Sequence, residues 1–89
     1  MPKPASADPE LIAIGALGFL AEDPARLSRF LDITGLNPAT LREAAREPRF
    51  LASVLDYLMA DESLMLAFAA HQGTSPETIA AASTALARI

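Results

Sequence analysis

Few side chains in this 89-residue sequence could do chemistry, and their types limit what that chemistry could be. There is no cysteine, which excludes a thiol nucleophile, a disulfide framework and every thiolate-ligated metal site. The single histidine, His71, lacks a second imidazole and an evident acid–base partner, so neither a histidine metal site nor a catalytic base follows from it. It stands in the last turn before Gly73, where a partial positive charge suits the negative end of a helix and exposure is expected. Asp23 and Asp61 could be read as a carboxylate pair, but each immediately precedes a helical run, and capping explains both. Gly15 and Gly18 lie inside an apolar run without the further glycines and lysine of a phosphate cradle, so close helix packing is expected there. No catalytic, cofactor-binding or metal-binding residue is assigned, and the chain is not expected to be an enzyme.

The remaining chemistry is electrostatic. Seven Lys/Arg against eleven Asp/Glu give a net charge of -4, which opposes non-specific attraction to nucleic acid and to anionic lipid. Five of the basic residues, Arg26, Arg29, Arg42, Arg46 and Arg49, nevertheless fall between positions 24 and 49. A helix-turn-helix nucleic-acid binder is the alternative reading, with Arg42 and Arg46 at i, i+4 as candidate phosphate contacts. Ala69, Gly73 and Ile79 match the spacing of that motif, but the segment from Pro76 to Ala87 has no Arg, Lys, Asn or Gln to read a base edge. In the first copy Leu31 replaces the small residue, and Glu43 and Glu47 flank the arginine pair. Nucleic acid is therefore not the expected partner.

The elements that position these residues are helices. Asp8-Pro9, Asp23-Pro24, Asn37-Pro38, Glu47-Pro48 and Ser75-Pro76 each place an acceptor before a proline, the pattern of an N-cap followed by the first helical residue. Asp61 supplies a sixth start, and Thr74 with Glu77 has capping-box spacing that competes with Ser75. Gly35 and Gly73 are stops, with Leu36 placed to fold back on Leu31 in a Schellman ending. Helices are predicted over 9–22, 24–34, 38–46, 48–60, 62–72 and 76–87, with no strand. The uncharged segment 11–21 has the length of a signal-peptide core but not its basic flank, and it is too short to cross a bilayer. It reads as a core helix of a cytoplasmic protein.

Nineteen of the hydrophobic residues, which make up 52% of the chain, are alanine, so the core must be modest. Ile12, Ala16, Phe19 and Leu20, then Leu27, Phe30 and Leu31, then Leu51, Val54, Leu55 and Leu58 form core stripes at helical spacing. The run from Leu64 to Ala70 has no polar face, so that helix either crosses the centre of the domain or meets a partner. A shift of 38 residues pairs Leu20 with Leu58, Asp23 with Asp61, Phe30 with Phe68, Gly35 with Gly73, Pro38 with Pro76, Thr40 with Thr78 and Ala44 with Ala82. Internal duplication of a three-helix unit is the preferred explanation, chance likeness of two helix-turn-helix units the other. The expectation is an all-α, compact bundle of five to six short helices. A flexible arm is expected over 1–8 and one domain over 9–89, with halves about 9–46 and 48–87.

Two stretches, FLAEDPARLSRFLDITGLNPATLREAA and PRFLASVLDYLMADESLMLAFAA, carry a resemblance. With Phe30, Thr34-Gly35-Leu36, Pro38, Phe50-Leu51-Ala52 and Leu55-Asp56, the chain resembles a family of short alphaproteobacterial proteins known as domain of unknown function 3572. The resemblance runs from Pro9 to Ala87 and implies a bacterial cytoplasmic protein complete at this length. It carries over no site residue or cofactor. From the residues themselves, the expected function is a small protein-interaction or regulatory module, with a homodimer or another protein as partner and no membrane. Tyr57, Met59, Met65 and Leu66 are the candidate interaction face, because flexible methionines suit adaptable surfaces.

Overall fold

The computed structural model of the chain describes residues 8–88, so the arm expected over 1–8 lies, apart from Asp8, outside the described residues. Six helices run in order: α1 Pro9–Ala21, α2 Pro24–Thr34, α3 Pro38–Ala44, α4 Pro48–Met59, α5 Glu62–Gln72 and α6 Pro76–Ala87. Local chemistry sets their starts. Asp8, Asp23, Asn37, Asp61 and Ser75 each accept a hydrogen bond from a first-turn backbone N–H, while Glu47 makes no such bond. Ser75, not Thr74, caps α6, and the reciprocal capping box forms instead between Asn37 and Thr40.

Gly35 and Gly73 end α2 and α5 at φ 75° and 71°, a region that glycine enters without the Cβ clash. The Schellman-type bond, in which Thr74 N–H donates to Ala69 C=O, closes α5, whereas α2 closes through Gly35 N–H to Leu31 C=O. Helix α3 stops at Ala44 rather than 46. Pro48 excludes a helical residue before it, so Glu47 is extended at φ -95° and ψ 123°, and Ala45 and Arg46 become a turn.

Packing builds an all-α bundle around α4 and α6, which lie along one another with α1 against both; α2 flanks α1 and α5 flanks α4. Every residue of the predicted stripes on α1 and α4 is buried, and Phe30 and Phe68 are wholly so. Two expectations change. Leu27 and Leu31 are only half-buried, leaving Phe30 as the anchor of α2. Helix α5 does not cross the centre: it buries Phe68 and Ala69, while Leu66 is 49% exposed. The central place belongs to α6, whose Ile79, Ala82, Ser83 and Leu86 face inward. Small residues on that face let its backbone come close to α4, and the Ser83 hydroxyl donates to Asp56 Oδ1 at 2.6 Å.

The aromatic rings tie the halves together reciprocally. Phe19 of α1 lies 5.5 Å from Phe68 of α5, and Tyr57 of α4 lies 5.0 Å from Phe30 of α2. A 38-residue shift converts Phe19 into Tyr57 and Phe68 back into Phe30, so each contact is the other with the halves exchanged. Such reciprocity is what a two-fold axis generates between two copies of one surface. The matched caps, stops and core phenylalanines also take the same roles in both halves. The third helices break the pattern, since α6 is central while α3 buries no residue.

Two stability predictions follow from these contacts. Ser83→Ala should cost about 1 kcal/mol, and Asp56→Ala about 2 kcal/mol, because the second leaves a buried hydroxyl without its acceptor; urea denaturation orders the two. Gly18 is helical with nothing among the described residues within 4 Å of a Cβ placed there, so Gly18→Ala should stabilise by about 1 kcal/mol. In a domain of this size that raises Tm by roughly 4–8 °C.

Candidate functional site

A concave surface feature lies where the C-terminal turn of α2, the end of α4 and the start of α5 meet. It is a solvent-open hollow of about 540 Å³ with Tyr57 and Ala60 from α4 and its end, Ile33 and Arg29 from α2, and Asp61 and Glu62 at the entry to α5. A smaller recess continues from it past Arg29, Tyr57 and Asp61 to Arg26 and Leu64. Ile33 is 63% exposed, the highest value among the large apolar residues described. Its side chain is three residues past buried Phe30, so spacing alone would bury it; α2 ends one residue later, and its last turn is left uncovered.

The halves explain why a hollow opens here. Around Phe19, Arg26 stands 5.0 Å over the ring and His71 5.3 Å from it, with His71 Nε2 3.8 Å from Glu22 Oε2. The positions matched to Arg26, His71 and Glu22 around Tyr57 are Leu64, Ile33 and Ala60. These three matched residues are apolar and cannot repeat the polar bridge around Phe19, and Tyr57 is half-buried where Phe19 is nearly closed off.

The polar groups on the rim differ in how far they are already bonded. Asp61 Oδ1 is committed to the backbone N–H of Leu64, and Arg26 to Asp23 at 3.6 Å. Arg29 makes no ion pair among the described residues, which leaves its five donors facing solvent beside the hollow. No group of three or more His, Cys, Asp or Glu among the described residues could hold a metal. An apolar floor with one free guanidinium and two carboxylates at its edge can take an apolar side chain and orient the segment that carries it.

The sequence-predicted face is divided by the structure. Tyr57 and Met59 are two residues apart on α4, about 200° around the helix, and open to different sides. Tyr57 faces the hollow; Met59 and Met65 share a depression of about 340 Å³ with Pro76, Glu77 and Ala80. Leu66 points outward from α5. Arg42 and Arg46 are exposed, Arg42 in the last turn of α3 and Arg46 in the turn beyond it, so they do not form an i, i+4 pair on one helix. Gly15 does pack closely, since a Cβ there would come within 2.5 Å of Gln72 Nε2, whereas Gly18 meets nothing.

Fold and site together define a small all-α bundle with open, mixed apolar and charged surface hollows. The chain matches the family described as "Protein of unknown function (DUF3572)" over residues 6–88, and it belongs to that family. No curated protein and no solved structure matches it. No described helix is long and apolar enough to cross a membrane.

Because Ile33 is exposed and Tyr57 carries a core contact, the hollow can be altered without unfolding the chain. Ile33→Glu should change stability by less than about 0.5 kcal/mol, whereas Tyr57→Ala should cost about 3 kcal/mol through loss of its contact with Phe30. Thermal denaturation of the two variants checks this.

Proposed function

We propose that this chain is a non-catalytic protein-interaction module of the bacterial cytoplasm, with the hollow between α2, α4 and α5 as its binding site. The observation that carries the reading is Ile33, a large apolar side chain held in solvent at the mouth of a hollow floored by Tyr57. An isolated exposed apolar residue needs no explanation, but one placed beside an aromatic floor and a charged rim has the anatomy of a protein-binding spot. A partner segment would set an apolar side chain between Ile33 and Tyr57, a carboxylate or carbonyl on Arg29, and a donor on Glu62. The Met59 and Met65 depression is a secondary contact region on the far side of α4.

Nucleic-acid binding has less support. Net charge is -4, Arg42 and Arg46 do not share a helix face, and Glu43 and Glu47 sit beside them.

Paired affinity purification with wild-type and Ile33→Glu chains, read by mass spectrometry, tests the proposal. The expected outcome is a protein retained by wild type and lost with the variant. Identical retention by both would contradict the hollow as the site. Titration with duplex DNA should show no affinity that falls steeply with salt and with Arg42→Ala.

A further inference from the structure

A second surface, on the other side of the molecule's pseudo-symmetry, lacks the helix that covers its counterpart. On α4, the stripe of Ala52, Asp56 and Met59 carries α6: Ala52 is 5% exposed, Asp56 accepts from Ser83, and Met59 lies beside Pro76 and Ala80. The 38-residue shift places Ile14, Gly18 and Ala21 of α1 at those three positions. All three are exposed, Ile14 by 49% and Leu11 next to them by 55%, whereas on α4 Ala52 is buried, Met59 half-buried and Asp56 alone exposed. Helix α3, the counterpart of α6, has only seven residues, none buried, and does not cover them. The same face holds Gly18, which lowers the helix propensity of α1 while nothing among the described residues approaches it.

We infer that the outer face of α1 is a docking surface for a short helical segment of another protein, apolar along its middle and basic at both ends. The apolar requirement comes from Leu11 and Ile14, and Gly18 admits a large side chain or a close backbone where Asp56 admits only the Ser83 hydroxyl. The charge requirement comes from Glu10 and Glu22, which bracket the stripe about 18 Å apart along the helix axis. No basic residue stands in the last turn of α1. Among the described residues Glu22 has one ion-pair partner, His71 at 3.8 Å, and Glu22 remains 67% exposed. The same charges disfavour a second copy of this chain. Antiparallel pairing sets Glu10 against Glu22, and parallel pairing sets each glutamate against itself. An anionic membrane is disfavoured for the same electrostatic reason. The surface is separate from the Ile33 hollow and does not depend on it.

The probe is a fluorescein-labelled peptide of residues 76–87 with Ser83→Leu, to fill the space at Gly18, and two lysines added at each end. Anisotropy titration of the full chain should give saturable binding, weakened about tenfold or more by Ile14→Glu and by exchanging the lysines for glutamates. Ile33→Glu should leave this binding unchanged, which keeps its outcome distinct from that of the hollow. Absence of saturation up to millimolar peptide, or equal binding to Ile14→Glu, would overturn the inference. Sedimentation should show a monomer; a dimer lost in Ile14→Glu would assign the face to a second copy instead. Circular dichroism should show an unchanged Tm for Ile14→Glu, and a marked fall would assign the face to the chain's own helices.

Discussion

Phe30 and Phe68 each occupy a fully buried site in one half of the chain and each meet an aromatic ring from the other, Tyr57 and Phe19 respectively. Removing a phenylalanine ring from water contributes roughly 1.5–3 kcal/mol, and each aromatic pair adds about 0.5–1.5 kcal/mol beyond area. In a chain with nineteen alanines these are among the largest apolar contributions available. Because both contacts cross between halves, neither half can complete its core alone. Helices α2 and α5 pack on α1 and α4 and are tied to the other half through these rings, and the orientation of α2 and α5 in turn sets where their ends fall. The hollow at Ile33 and the His71 site beside Phe19 are therefore two versions of one corner, one left open and the other bridged by side chains.

Asymmetry between the third helices gives the molecule its remaining character. Helix α6 has twelve residues with a face of Ile79, Ala82, Ser83 and Leu86, narrow enough to lie close along α4 and long enough to reach α1. Helix α3 is cut to seven residues by the Glu47-Pro48 start that follows it. One side of the α1/α4 pair is consequently sealed and the other exposes Leu11 and Ile14. The partly buried charge–hydroxyl contact between Asp56 and Ser83 belongs only to the sealed side.

Much of the architecture is legible in the sequence because proline, cap and glycine signals act within a few residues. All six helices, five of their six side-chain caps and the stripes on α1 and α4 follow from such local rules, and differences at helix ends are one or two residues. What was not legible depends on distance. The pairing of Ser83 with Asp56 spans 27 residues and has no local signature. The central place of α6 is hidden because alanine and serine look unremarkable until a neighbouring backbone approaches them. The apolar run of α5 suggests a central helix, yet burial there is decided by which helix packs α4 most closely. Tyr57 and Met59 are a different case, since helical periodicity alone separates them; nearness along the chain is a poor guide to a shared face. Ile33 fits the core pattern of α2 and escapes burial only because the helix stops beside it.

The interlocking of the halves makes folding a single event rather than the docking of two stable units. Native-state hydrogen exchange resolved by residue is the most direct measurement, because it reports the opening free energy of α1 and α4 separately under the same conditions. Slowly exchanging amides within 12–20 and within 51–58 should share one opening free energy, equal to that of global unfolding. Protection of α4 and α6 that persists while α1 and α2 open at a lower free energy would contradict the reciprocal core.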